Sequence, residues 1–157
     1  MSASESSKSD PVAQLEAAYG APSQAGFGSA VFHAPLDPAT DLTAAAQEKY
    51  KYFVGELWDR WGEDAWMGPW REVYSRPAGA VPDIVAELGA IDDRDAALSA
   101  PMLLDNDPAA LAAVFDDPAL TDLRIFNLGD GAAMSGLLIA GRRAATNEAT
   151  FLVFLLD

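Results

Sequence analysis

A chain of 157 residues with no cysteine cannot be a disulfide scaffold or hold a thiolate metal centre, and at this length one domain with a core of its own is expected. Its net charge of −14 repels polyphosphate and anionic bilayers, which disfavours nucleic acid and membrane surfaces as partners and leaves a basic protein as the plausible one. No stretch approaches the roughly 18 apolar residues needed to span a bilayer, and Met1 to Asp10 lacks the apolar segment of a secretory leader, so a soluble, cytoplasmic chain is expected.

Residues 1–9 are short, polar and Ser-rich, and read as a disordered tail ahead of one α+β domain spanning 10–157. Asp10-Pro11 then offers an N-cap followed by proline at the first helical position, where its missing N–H costs nothing. Val12, Leu15 and Tyr19 share one face of this helix, and Gly20 with Pro22 ends it. Residues 26–33 suggest a short strand weakened by two glycines. Asp37-Pro38 repeats the start signal and leads into a helix to about Trp61. Its apolar stripe is Leu42, Ala46, Tyr50, Phe53, Val54, Leu57, Trp58 and Trp61. This helix is expected to lie across the C-terminal sheet.

All four tryptophans fall between Trp58 and Trp70, interleaved with Glu63, Asp64, Arg71 and Glu72. Residues 70–75 suggest a strand before the Pro77-Ala78-Gly79 turn. From Val81 the chain becomes rich in Ala and Asp, with short helices expected at 82–88, about 94–104 and 107–115, each kept short by a proline at 82, 101, 108 or 118. Asp107-Pro108 and Asp117-Pro118 repeat the start signal once more. Capping chemistry explains the recurrence, since no fixed-period repeat accompanies it.

The final third is expected to form a three-stranded meander: 122–128, 135–140 and 150–156, joined by Gly129-Asp130-Gly131 and by a looser polar break at 142–148. Phe151 to Leu156 does not alternate, so both faces of that strand should be covered, either by helices on each side or by a second copy of the chain. The expected architecture is α+β, with N-terminal helices packed on an antiparallel sheet built around this meander.

Two groups of residues are candidates for a site. Glu63, Asp64, Trp66, Trp70 and Arg71 combine flat rings with charge, as sugar platforms and protein hot spots do. Trp58 and Trp61 belong to the helix stripe and are read as core, whereas for Trp66 and Trp70 core and surface roles are balanced. The second group is acidic: Asp92, Asp93, Asp95, Asp105, Asp107, Asp116 and Asp117. Residues 81–122 carry ten acids against Arg94 alone, a net −9. The bland reading is a solvated surface that aids solubility. Alternating carboxylates can bind Ca²⁺ or Mg²⁺, but the glycine and terminal glutamate of an EF-hand are missing, and helix capping accounts for Asp107 and Asp117, so no metal is expected.

No cofactor is expected either. Gly129-Asp130-Gly131 is too short for a phosphate loop, and His33, the only histidine, reads as a packed or surface imidazole. Arg142-Arg143 reads as a solvated turn. Nothing singles out a catalytic carboxylate pair among 24 acids. The expectation is a non-enzymatic acidic interaction module (an adaptor, inhibitor or immunity-type protein) that binds a basic partner. The rival is a small-molecule or carbohydrate-binding domain, with or without enzymatic activity, using the Trp-rich loop 61–74. A homodimer closed over the sheet is the third option.

Overall fold

The computed structural model describes residues 10–156, which excludes the tail expected at 1–9. The described chain forms one antiparallel sheet between two layers of helices. The elements are α1 (Asp10–Tyr19), β1 (Gly28–Pro35), α2 (Leu42–Val54), α3 (Glu56–Trp61), α4 (Glu63–Met67), β2 (Arg71–Ser75), α5 (Ile84–Gly89), α6 (Arg94–Asn106), α7 (Pro108–Phe115), β3 (Asp122–Gly129), β4 (Ser135–Arg143) and β5 (Glu148–Leu156). The α+β class and the C-terminal meander are as the sequence implies. None of these helices is long and apolar enough to cross a membrane.

Strand order is β1-β5-β4-β3-β2. The weak segment with two glycines does join the sheet, pairing with β5 from Gly28↔Leu155 to Pro35↔Glu148. At the other edge β2 pairs with β3 across a register shift between Glu72 and Tyr74. Such a short, bulged and charged edge strand discourages further pairing.

The unbroken apolar run of β5 is explained by cover on both faces. Leu152 and Phe154 enter a core shared with α1, α5, α6 and α7. Phe151, Val153 and Leu155 enter the other, under α2 and α4. Complete burial of each such side chain is worth about 1.5–3 kcal/mol. Both covers come from the chain itself, so no second copy is needed to shield the strand. Glycine is required within the sheet at Gly136, where a Cβ would fall 1.8 Å from the Phe154 carbonyl oxygen.

Several elements depart from expectation for local reasons. The single helix 37–61 is two. Asp37 holds the Ala39 N–H in a turn, while Asp41 is the N-cap and accepts from the Ala44 N–H. Gly55, at φ 68°, then breaks the helix, a conformation that residues with a Cβ rarely adopt. The stripe loses phase there, which leaves Trp61 46% exposed although Trp58 is buried. Pro101 lies inside α6 and does not end it. Both Pro101 and Ala97, whose carbonyl loses its intrahelical partner, face solvent, where water replaces the bond. Asp117-Pro118 starts no helix, because Asp117 accepts from the Ala119 N–H in a turn. Between β3 and β4, the Asp130 carboxylate gathers the N–H groups of Ala132 and Met134, at 2.8 and 2.9 Å. The break after β4 is a single 3₁₀ turn closed by Asn147 in the left-handed conformation.

Candidate functional site

The aromatic candidates are mostly structural. Trp66 is 0% exposed, which removes it from any contact surface. Its ring lies between Trp58 and Trp61, nearly parallel to both (interplanar angles 9° and 2°), and its indole N–H donates to the Leu57 carbonyl. The reason is α4: this short helix turns the Gly/Pro-bounded loop inward and drives Trp66 under α3. Trp70 is half-buried and stacks on Phe126 at 4.7 Å and on Tyr50 at 5.5 Å. The Tyr50 hydroxyl ties these parts together, lying 2.8 Å from the carbonyls of Trp66 and Gly129 and accepting the Gly129 N–H. Burial raises its pKa well above the ordinary tyrosine value. Glu63 and Asp64 remain exposed at the start of α4, apart from the Arg71 cluster. The residues expected to make one aromatic–acidic site are therefore divided among core, helix end and strand.

Arg71 joins the two candidate groups. It projects from β2 to the start of α6, where its Nε and Nη2 meet the two oxygens of Asp93 at 2.6 and 2.7 Å. Nη2 also reaches Asp95 at 3.0 Å, and Nη1 donates to the Pro69 carbonyl. Asp93 is at the same time the N-cap of α6, accepting from the N–H groups of Asp95 and Ala96. The hydrogen bonds from Arg71 hold its carboxyl below the usual aspartate range, and the same contacts raise the guanidinium pKa. The clamp fixes the direction of α6 against the sheet edge.

The acidic group, in contrast, is not one patch. Asp107 caps α7 through the Ala110 N–H, and Asp116 accepts the Ile84 N–H at 2.6 Å. Asp117 pairs with Arg143, which corrects the reading of that arginine as a solvated turn residue. Charges occupied in this way contribute to the fold and little to outside recognition. Asp92 and Asp105 stay exposed at the entry and along the outer side of α6, and Asp95, exposed as well, gives one oxygen to Arg71.

What the sequence reading missed lies between them. Leu98 is 72% exposed and Met102 53%, four residues apart on α6. With Asp95 and Asp105 they form one ridge at spacings of three, four and three, opposite the buried Ala96, Ala100 and Leu103. A helical projection of 94–106 carries this signal: an apolar pair lying off the core stripe. Beside the ridge, a cleft of about 220 Å³ opens between α6 and the β3–β4 connection, lined by Pro69, Asp95, Leu98, Asn127, Ala132 and Met134 among others.

His33 is the other group with potential chemistry among the described residues. His33 Nδ1 lies 2.8 Å from the Thr150 hydroxyl and Nε2 3.5 Å from Glu148, a line resembling a proton relay. The Thr150 residue is 2% exposed and the His33 side chain 5%, so both lie mostly within the protein. Among the described residues, no group of three or more His, Asp or Glu side chains is arranged to hold a metal ion. Compared with family models, curated proteins and solved structures, the chain matches none, so the geometry of α6 and its surroundings is the ground on which function can be argued.

Proposed function

We propose that the protein is a non-enzymatic interaction module, of the adaptor, inhibitor or immunity type, that binds a basic protein through the outer ridge of α6. The observation that carries this reading is the exposed pair Leu98 and Met102, bordered by Asp95 and Asp105 within a segment of net charge −9. An apolar centre with a charged rim is the usual anatomy of a protein contact: the centre supplies affinity by excluding water, and the rim supplies steering and partner choice. The Arg71–Asp93 clamp supports it, because a ridge held in one orientation loses less entropy on binding. The absence of cysteine fits a reducing, cytoplasmic setting for the partnership.

The test compares wild-type chain with the double variant Leu98→Ser/Met102→Ser as bait for proteins of the native host, at low and at high ionic strength. The expected result is a basic protein held by wild type at low salt, lost as salt rises and lost again with the double variant, each apolar residue contributing about 1–2 kcal/mol. Equal retention on both baits, or retention of acidic proteins only, removes the proposal.

A further inference from the structure

We infer that the cleft beside α6 receives a lysine side chain of that basic partner, its ammonium group held by Asn127 and Asp95. This deepens the docking proposal and depends on it only for the source of the side chain. Asn127 lies on β3 and is 2% exposed. Its Nδ2 donates to the Pro69 carbonyl at 2.9 Å, which fixes the amide orientation and leaves Oδ1 as a buried acceptor with no hydrogen-bond partner. Buried polar atoms in folded proteins are nearly always satisfied, so an unpaired acceptor on a residue that lines the cleft calls for a donor, which Oδ1 can meet once the cleft is occupied.

Three features select an alkylammonium. The first is charge: of the residues that line the cleft, Asp95 alone is charged, and it is acidic. The second is the arrangement of acceptors. Asp95 already gives Oδ2 to Arg71 and has its other oxygen free of that contact, while Asn127 offers a single oxygen. A guanidinium prefers a carboxylate with both oxygens available to its planar fork, whereas an ammonium with three rotatable donors suits separate single acceptors. The third is the wall. Leu98, Met134 and Pro69 present apolar surface suited to a methylene stem, which lysine buries while its charge finds polar partners. The volume of about 220 Å³ is below the roughly 300–1,000 Å³ of sites that enclose whole small-molecule ligands, and suits a side chain inserted from a larger partner.

The test needs no partner. The uniformly ¹⁵N-labelled full chain is titrated with n-butylammonium, with neutral 1-butanol and with butyrate. Expected are saturable shifts of the Asn127 side-chain amide and the Ala132 backbone amide for n-butylammonium alone, with millimolar affinity. Asp95→Asn should weaken that affinity about fivefold by removing the charge-assisted contact, and Ala132→Trp, at an exposed loop position, should abolish the shifts by filling the cleft. Shifts that never saturate, that 1-butanol reproduces, or that survive Ala132→Trp overturn the inference, whatever the pull-down returns. If butylammonium binds as described while no basic protein is retained by the α6 ridge, the cleft assignment stands and the docking proposal alone falls.

Discussion

The two helical layers cover the same sheet but use their side chains in opposite ways. The layer of α2, α3 and α4 holds all the tryptophans but one, Trp70 lying just beyond it, and turns most of its aromatic surface inward: Tyr50, Phe53, Trp58 and Trp66 are all buried. The layer of α5, α6 and α7 is rich in alanine and leucine and has no aromatic residue before Phe115, yet it leaves Leu98 and Met102 open to water. Residue type is therefore a poor guide to where contact surface lies. A tryptophan in this chain brings enough area to be pulled into the core, whereas a modest Leu–Met pair becomes informative because the helix beneath it already has a complete buried stripe.

The comparison is sharpened most by Trp66→Ala. Removing the ring between Trp58 and Trp61 leaves a cavity, frees neither neighbour to refill it, and also strips the indole hydrogen bond to Leu57. A loss of about 3–5 kcal/mol is expected in urea or guanidinium unfolding, with the fold retained only if overall stability exceeds that. A loss under about 1 kcal/mol would mean that the aromatic layer is loosely packed and that the contrast between the layers is illusory.

The next test is electrostatic and lies under the acidic layer. Arg76 and Glu87 form an ion pair with side chains 8% and 10% exposed, and the Tyr74 hydroxyl donates to the same carboxylate at 2.6 Å. Burial alone would raise the Glu87 carboxyl, but the hydrogen bonds from Arg76 and Tyr74 outweigh it and hold the carboxyl below its usual range. Burial, followed by the bond to Glu87, pushes the Tyr74 phenol up to about 12. A carboxyl with a depressed folded-state pKa stabilises the protein above its unfolded value, roughly 4.3 for glutamate, and that contribution is lost as pH falls through the folded value. Arg76→Met should thus cost about 3 kcal/mol at pH 7 by leaving Glu87 buried without its cation. The gap from wild type should narrow as pH falls below the ordinary glutamate range and through the depressed folded-state value, where wild type protonates Glu87 as well. A gap of equal size at both pH values would show that Arg76 contributes through packing and not through its charge.

How much of this was legible beforehand depends on the range over which the deciding contacts act. Asp107 as a cap, β3 to β5 as strands and the double cover of β5 follow from local pattern, because capping, run length and alternation are decided within a few residues, although the same Asp-Pro signal at Asp37 marks a turn and the cap is Asp41. The break at Gly55 was written in the sequence as well, but a strong apolar stripe on both sides obscured it. What could not be read are pairings across long separations. Arg71 with Asp93, Asp117 with Arg143 and Asp116 with the Ile84 N–H are set by how the layers close on the sheet. These contacts turn an apparent acidic surface into a few exposed carboxylates and several satisfied ones. Asn127 illustrates the same limit: within the run of β3 it looks like an interruption, and only the approach of Pro69 and α6 gives its side chain a setting.

The smallest expected effect is the one that most directly separates the layers. Leu98→Ser with Met102→Ser replaces two apolar side chains on a helix whose core-facing residues are Ala96, Ala100 and Leu103. If the ridge faces only water in the free protein, the folded state loses little contact, and the cost reduces to the weaker helix propensity of serine, about 0.5 kcal/mol per site at most. Thermal and denaturant unfolding should therefore place the double variant within about 1 kcal/mol of wild type. The same variant must lose the partner. A large stability loss would mean that Leu98 and Met102 are packed in the free protein, by the chain or by a second copy of it, and a concentration-dependent midpoint would identify the second copy. Stability unchanged together with binding lost is the one combination that makes the outer side of α6 a surface kept for contact.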